Sequence, residues 1–401
     1  MIEQIFDLQN PWRKDNTMPF HLNTRKIFKV LKDNLENELI LGLTGSRQVG
    51  KSSLIYLIIE NLLKNNVRVN NIFYFNLDDL KLQSLFSNIP EFFQFIGDDP
   101  EKKYIFIDEI QRLNSPGLFL KELFDLKRNI KIIFSGSSQL EIRAKTKEHL
   151  AGRVRNFNIN RLTFEEYLDF ARPSTREETL KNILLYGSYP AVAKAIQPIE
   201  KKLRIKDIFQ SYVQKDLVDF IKIKDVETYN KFLIRAAAQT GDLLNIQSIS
   251  NSLGISRGIT EEYINILEHT FICKRIYPFH RKHIKEITKT PKLYFLDLGL
   301  RNFILNNFNE LEIRTDKGSL FENFYLTELL SNDFYSLDRI NFWRTANKTE
   351  VDFIVQHDGT TEAIEVKWSN QTRPKAFYSL ESLYPGIKTK VITTKEFLQV
   401  L

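Results

Sequence analysis

A glycine-rich loop that ends in a lysine and a serine carries the clearest chemistry in this sequence. Residues 45–52 read GSRQVGKS, which is the spacing G-x-x-x-x-G-K-S. Glycines let such a loop curl until its backbone N–H groups face a phosphate. Lys51 can then reach the β- and γ-phosphates, and the Ser52 hydroxyl can bind Mg²⁺. The residues predicted to bind the nucleotide are Gly45, Ser46, Arg47, Gln48, Val49, Gly50, Lys51, Ser52 and Ser53.

Two adjacent acidic residues supply the second part of a hydrolytic site. An apolar run of buried-strand type, residues 104–107, ends in Asp108 and Glu109. An acid at such a strand end can hold Mg²⁺, usually through water. The next carboxylate can orient or deprotonate the attacking water, which favours hydrolysis over nucleotide storage. Ser137 follows a further apolar run and could sense the γ-phosphate or place the water.

These residues can act together only if strands and helices bring them to the same edge of a sheet. Apolar runs at 39–44, 72–76, 104–107 and 130–134 predict four strands, and apolar residues recur at helical spacing directly after the glycine-rich loop. Strands that alternate with helices indicate an α/β fold with a parallel sheet, and ligands bind at the carboxyl ends of such strands. The phosphates would lie at a helix N-terminus, where the helix dipole favours anions.

The sequence resembles the AAA+ superfamily of P-loop ATPases, and within it a prokaryotic family of predicted ATPases with an uncharacterised C-terminal domain. The matching stretches are 45–53, 104–111, 134–138, 150–153, 162–167, 187–190 and part of the C-terminal region. The resemblance implies ATP and Mg²⁺ as ligands. It also implies an arginine, from the lid or from a neighbouring subunit of a homo-oligomer, that stabilises the γ-phosphate; Arg153 matches by position and Arg155 is the second candidate. Ser188 departs from a glycine in the family pattern, which leaves the ATPase prediction intact.

Bulk properties narrow the class of protein. The chain has 401 residues, 42% of them hydrophobic and 27% charged, which predicts two or three globular domains. Its formal net charge is +7, which favours a nucleic-acid partner, although a composition typical of AT-rich coding explains part of this charge. The single Cys273 excludes an internal disulfide framework. Without an apolar run near about 18 residues or a signal-peptide pattern, we expect a cytoplasmic protein that does not bind membranes.

The pattern predicts three parts before the C-terminal region. Residues 1–157 form the AAA+ type ATPase core, 158–240 a helical lid or connector, and 241–300 a winged-helix-like unit. In the last of these, two short helices around Gly254, with Ser256 as N-cap of the second, precede two predicted strands. The basic residues predicted to contact the nucleic-acid backbone are Lys274, Arg275, Arg281, Lys282 and Lys285. Alternatively the unit only joins domains, because Glu261 and Glu262 would repel phosphates from its second helix.

A second group of charged residues lies in the predicted C-terminal domain, 301–401. Residues 349–355 and 363–367 alternate as strands around an Asp-Gly hairpin turn. Side chains two apart share a strand face, so Glu365 and Lys367 point the same way and Asp352 on the partner strand can meet them. Glu322 lies on a preceding helix.

This order of residues resembles the PD-(D/E)XK restriction-endonuclease-like fold. The resemblance implies that Asp352 and Glu365 bind Mg²⁺, with Mn²⁺ as an alternative, that Lys367 acts on the nucleophile side, and that Glu322 is the helix acid. The proline that often precedes the first acid is absent here, as it is in much of the wider fold. A salt-bridged strand pair, or the same fold without activity, would give a similar pattern.

Together these features predict an ATP-driven protein that processes nucleic acid, with DNA favoured, and that carries a metal-dependent nuclease module. The alternative is a nucleotide-gated regulatory switch, in which the winged helix and an inactive nuclease-like fold serve as binding platforms. A protein-remodelling ATPase has less support, because no aromatic pore-loop signature is evident.

Overall fold

The chain forms two compact units, Met1–Asn160 and Arg161–Leu401. The computed structural model describes residues 2–97, 100–137, 150–171, 175–212, 225–280, 290–369 and 372–400. The predicted end of the ATPase core, residue 157, lies three residues before the boundary between the units. Among the described helices, none combines the length and the apolarity needed to cross a bilayer.

The first unit contains a five-stranded, fully parallel sheet with the strand order β2-β3-β4-β1-β5. Its strands are β1 (Ile40–Thr44), β2 (Ile72–Asn76), β3 (Lys103–Asp108), β4 (Ile130–Gly136) and β5 (Val154–Asn158). This order places β4 between β1 and β3, so the carboxyl ends of these three strands meet at one edge. The α/β parallel sheet that the sequence predicts is therefore confirmed.

Among the strands of the first unit, β5 is the one that the sequence did not predict. It pairs with β1 at the sheet edge, and of its five residues only Phe157 is buried. Because an edge strand with one buried side chain carries neither an apolar run nor a clear alternation, it gives little sequence signal.

Helices connect these strands, and aromatic residues fill much of the core. Phe75 of β2 packs against the rings of Phe86 and Phe92, at centroid distances of 5.2 and 6.0 Å. The helices of this unit are Ile2–Gln9, Trp12–Asp15, Lys26–Asp33, Lys51–Lys64, Leu80–Gln83, Ile89–Ile96 and Pro116–Asp125, with 3₁₀ turns at Val69–Asn71, Ser84–Phe86 and Ile110–Arg112.

The second unit begins with helices, as the sequence predicts. Pro190 opens one of these helices. The Ser256 hydroxyl accepts a hydrogen bond from the Ile259 N–H at 3.2 Å, which confirms Ser256 as the predicted N-cap. Parts of the predicted helical segment 158–240, residues 172–174 and 213–224, lie outside the described residues. The helices are Phe164–Ala171, Arg176–Tyr186, Pro190–Lys194, Pro198–Ser211, Val226–Ala238, Ile246–Leu253, Arg257–His269, Leu298–Ile304, Lys317–Asn332, Lys375–Leu383 and Thr394–Val400, with a 3₁₀ turn at Leu311–Ile313.

Two sheets complete the second unit. The antiparallel pair β6 (Cys273–Ile276) and β7 (Lys292–Phe295) follows the helix Arg257–His269. The second sheet has the order β11-β10-β9-β8, and its strands are β8 (Arg339–Arg344), β9 (Glu350–His357), β10 (Thr360–Lys367) and β11 (Lys388–Thr393). Strands β10 and β11 are parallel and the other pairs are antiparallel. The helix Lys317–Asn332 packs on β10.

Candidate functional site

The phosphate-binding loop connects β1 to the helix Lys51–Lys64, and its backbone needs glycine at both ends. Gly50, the helix N-cap, has φ of 97°, a conformation that residues with a side chain rarely adopt. At Gly45 a Cβ atom would lie 2.2 Å from the carbonyl oxygen of Ile159, so a side chain cannot fit. The predicted loop residues Ser46, Arg47, Gln48 and Val49 lie between these glycines, and Ser52 and Ser53 lie in the first helical turn.

The Lys51 ammonium group is buried inside this loop. Its Nζ donates hydrogen bonds to the carbonyl oxygens of Gly45, at 3.0 Å, and Ser46, at 2.9 Å. These bonds hold the positive charge against the loop backbone, beside the start of the helix. A bound triphosphate would replace them with stronger, charge-assisted bonds to phosphate oxygens.

The Asp108 carboxylate lies beside the loop and accepts three hydroxyl groups. Ser52 Oγ donates to Asp108 Oδ2 at 2.5 Å, Tyr74 Oη donates to the same oxygen at 2.9 Å, and Ser135 Oγ donates to Oδ1. The two residues predicted to bind Mg²⁺ beside the phosphate-binding loop, Ser52 and Asp108, are therefore in direct contact. Their hydroxyl and carboxylate oxygens fit a hard cation, which would insert between them.

Tyr74 and Ser135 are site residues that the sequence analysis missed. They lie on β2 and β4, the two neighbours of the Asp108 strand. Burial raises the pKa of Tyr74, and the Asp108 carboxylate raises it further. The phenol therefore stays protonated and remains a donor that orients Asp108.

Glu109 follows Asp108 in a left-handed conformation, with φ of 59°. Its Oε2 atom accepts hydrogen bonds from Gln111 Nε2 and from Ser137 Oγ, the latter at 3.4 Å. Gln111 Nε2 also lies 3.1 Å from Ser137 Oγ. The predicted γ-phosphate residue Ser137 thus lies beside the predicted base, and Gln111, missed in the sequence, joins the two.

Replacing Gln111 by leucine should lower kcat for ATP by about tenfold and leave KM nearly unchanged. The leucine keeps a similar volume but removes the donor that restrains Glu109, so the base spends less time in a productive orientation. Steady-state phosphate release measures both constants. Gln247→Leu, on an exposed helix position of the second unit, is the control, and an unchanged kcat in Gln111→Leu would exclude a positioning role for Gln111.

Arg153 lies away from this chain's own phosphate site. It directly precedes β5, and its carbonyl oxygen accepts the N–H of Ile40, the first residue of β1. That position is about five residues, or about 16 Å, along the sheet from the edge where the loop begins. Its guanidinium group forms an ion pair with Asp125, with Nε 2.8 Å from Oδ1. A role for Arg153 or Arg155 toward a neighbouring subunit stays a prediction.

The second candidate site brings together the four predicted C-terminal residues. The Val366 N–H donates to Asp352 Oδ2 at 2.8 Å, and Lys367 Nζ lies 2.5 Å from Glu365 Oε1. Burial raises the pKa of Asp352 well above its ordinary value, and Glu322 and Glu365 raise it further. Burial likewise raises the pKa of Glu322, and Lys292 opposes that increase only in part. The acidic side chains are therefore close enough to repel one another.

Three further residues belong to this carboxylate cluster and were not predicted. Tyr294 Oη donates to Glu322 Oε1 at 2.6 Å, and Lys292 of the same strand contacts both Glu322 and Glu350. Lys292 lies in the segment 241–300, which the sequence predicts to be a winged-helix-like unit. Within the described ranges, no three acidic, histidine or cysteine side chains are placed to hold one metal ion together. Metal binding by Asp352 and Glu365 therefore stays a prediction, although Mg²⁺ commonly uses two carboxylates with water and substrate oxygens.

Replacing Asp352 by asparagine should stabilise the second unit at alkaline pH in the presence of EDTA. The folded-state pKa of Asp352 lies above its ordinary value of 3.8, so folding is penalised increasingly as the pH rises from that value through the folded-state pKa. We expect a gain of about 1–3 kcal/mol near pH 8 that shrinks toward pH 4. Thermal unfolding at both pH values measures it, with Asp358→Asn in the exposed hairpin turn as control. A variant less stable than the parent at alkaline pH would contradict this.

Two of the five residues predicted to contact nucleic acid, Lys274 and Arg275, are among the described residues, and they differ in their hydrogen bonding. Lys274 is exposed, whereas Arg275 Nε donates to Glu268 Oε2 at 2.6 Å and its NH2 group donates to Asn265 Oδ1 at 2.8 Å. Arg275 would have to give up these bonds to contact a phosphate. Arg281, Lys282 and Lys285 lie outside the described residues.

A parallel sheet with a phosphate-binding loop after β1 and an Asp-Glu pair at the end of β3 is the arrangement of the P-loop NTPase fold. Residues 37–168 match the family described as AAA domain, which supports a nucleotide-binding ATPase of the AAA type. Residues 177–311 and 317–399 match two domains of unknown function, DUF8612 and DUF4143.

Two similar proteins are described as uncharacterised. One from Haemophilus influenzae is 23% identical over 91% of this chain and 91% of its own length. One from Methanocaldococcus jannaschii is 28% identical over 76% of this chain and 71% of its own length. Among solved structures, the Saccharomyces cerevisiae Hsp104-ADP complex aligns with 65% of this chain and 40% of its own, at 12% identity and a TM-score of 0.34, values too low to support an inference.

Proposed function

We propose that the first unit binds and hydrolyses ATP with Mg²⁺, and that hydrolysis drives an action on nucleic acid, DNA in preference to RNA. The observation that carries the ATPase is the convergence of Lys51, Ser52, Asp108 and Glu109 at one sheet edge. The net charge of +7 supports a polyanionic partner.

The proposed chemistry assigns one task to each of these groups. Loop N–H groups and the helix N-terminus bind the phosphates, and Lys51 offsets negative charge on the γ-phosphate. Ser52 and Asp108 would hold Mg²⁺, which supplies further charge stabilisation when bound. Glu109 accepts a proton from the attacking water while the water oxygen bonds to the γ-phosphorus. The bond from that phosphorus to the β–γ bridging oxygen breaks, which releases ADP.

We further propose that the C-terminal carboxylate cluster cleaves phosphodiesters with Mg²⁺ or Mn²⁺. The proximity of Asp352, Glu365 and Lys367 supports this proposal, since a metal-binding pair beside a lysine can activate water and stabilise phosphate charge. The buried Glu365 Oε2 atom accepts no hydrogen bond from any described residue, so it could still bind a cation.

A nucleotide-gated switch is the second candidate function. Two observations favour it: the Lys51 ammonium group is already held by its own loop, and Lys292 already neutralises part of the carboxylate cluster. In this alternative ATP binding, without steady turnover, would change the state of the protein, and the C-terminal sheet would serve only as a binding platform.

ATPase and cleavage assays on one panel of single-stranded, duplex and branched DNA, with matching RNA, test both candidates. DNA should raise ATP turnover several-fold, and Mg²⁺- or Mn²⁺-dependent cutting should be lost in Lys367→Met. Turnover that no nucleic acid changes would contradict the processing function. Very slow turnover with tightly retained nucleotide would favour the switch, and absence of cutting by the parent protein would exclude the nuclease.

A further inference from the structure

A lysine from outside the predicted nuclease domain is buried in the carboxylate cluster. Lys292 of β7 is only 3% exposed, and its Nζ lies 3.6 Å from Glu322 Oε1 and in contact with Glu350 Oε1. The ring of Phe342 lies beneath the ammonium group, 5.4 Å from it. Two carboxylates and an aromatic face thus replace the water shell of this cation.

The charges of the cluster divide into two halves. Glu350 lies between two cations, because its Oε2 also accepts from Arg344 NH1 at 2.7 Å. Glu322 has Lys292 and the Tyr294 hydroxyl as partners. This half is neutralised by the protein itself.

The other half contains a buried carboxylate oxygen that accepts no hydrogen bond from a described residue. It consists of Asp352, Glu365 and Lys367, and Lys367 contacts Glu365 through Oε1 alone. Glu365 is 5% exposed, and its Oε2 atom accepts no hydrogen bond from a described residue. A buried carboxylate oxygen without a donor is costly, and a divalent cation would satisfy it.

We propose that Lys292 is a built-in cation that occupies the position of one metal ion, so that the cluster admits a single Mg²⁺ or Mn²⁺, bound by Asp352 and Glu365. This inference rests on the proposed function, because it needs the cluster to be a metal site. The physical reason is that the Lys292 ammonium group already occupies the Glu322 and Glu350 oxygens that a second ion would need. In a buried environment it also strongly repels a divalent cation bound by neighbouring carboxylates.

Calorimetric titration of the nucleotide-free full chain with Mn²⁺ tests the proposal. Binding that is lost in Asp352→Asn is assigned to the cluster, which separates it from any ion at the phosphate-binding loop. The parent should bind at most one such ion. Lys292→Met should bind Mn²⁺ at least about tenfold more tightly or take up a second ion, because one positive charge has gone. Lys274→Met is the control, since Lys274 is an exposed lysine of the same two-stranded sheet, and it should match the parent.

Thermal unfolding with and without Mn²⁺ covers the case in which Lys292→Met folds poorly. The cation would then replace the missing ammonium group, so Mn²⁺ should raise the Tm of Lys292→Met more than that of the parent. Equal affinity and equal Tm shifts in the two proteins would overturn the proposal, as would two ions bound by the parent. Should the parent bind one ion and still cut no nucleic acid, the proposed nuclease fails and the role of Lys292 stands.

Discussion

Glu109→Gln should bind ATP and fail to hydrolyse it. We expect the turnover number to fall by about 10²–10⁴, because the amide cannot accept the proton that the attacking water must lose. ATP affinity should stay within about threefold of the parent, since Lys51, Ser52 and the loop N–H groups are untouched. Phosphate release measures turnover, and calorimetry with ATP measures binding.

The Glu109→Gln result needs a control for the substitution itself. Glu122→Gln makes the same change at an exposed position of the helix Pro116–Asp125 and should hydrolyse ATP like the parent. Parental turnover in Glu109→Gln would show that another residue handles the water. If ATP binding were lost as well, the hydrogen bonds from Gln111 and Ser137 to Glu109 would be needed for the shape of the loop, and the assignment of Glu109 as base alone would be wrong.

The residues of the site that could be predicted are those whose positions follow from local sequence patterns. The loop between Gly45 and Ser52 has a fixed spacing, and the apolar runs before Asp108 and Ser137 mark buried strands. Parallel strands end at the same edge, so local patterns were enough to place these residues together. The contact between Ser52 and Asp108, 56 residues apart, follows from that topology.

The parts that could not be predicted depend on which strands become neighbours. Tyr74 reaches Asp108 because β2 pairs with β3, and no local pattern distinguishes this tyrosine from other core aromatics. Lys292 lies in the segment 241–300, which the sequence predicts to be a winged-helix-like unit that contacts nucleic acid. The fold instead buries it against Glu322 and Glu350, 30 and 58 residues further along the chain.

Arg153 lies within the predicted ATPase core and directly before the edge strand β5, so it lies at the far end of the sheet from this chain's own phosphate-binding loop. The local pattern contains no information on strand direction at that point, because β5 itself gave no strand signal. The same limit applies to Arg275, whose partner Glu268 comes from the preceding helix.

Lys51→Met should weaken ATP binding by about 10–100-fold and lower turnover further. Methionine keeps the length of the side chain but removes the buried ammonium group that can turn toward the β- and γ-phosphates. The Gly45 and Ser46 carbonyl oxygens also lose their donor, so a modest decrease in Tm without nucleotide is expected. Nucleotide titration by calorimetry measures the affinity, and thermal unfolding measures the second effect.

Lys64→Met is the matched control, because Lys64 lies at the other end of the same helix, is exposed, and pairs only with Glu60 at 2.7 Å among described residues. It should bind ATP like the parent. Equal ATP affinity in Lys51→Met and the parent would mean that the ammonium group keeps its bonds to the loop carbonyls when nucleotide binds. The phosphates would then be held by backbone N–H groups alone, and the rate effect of Lys51 would have to be explained through loop shape and not through charge.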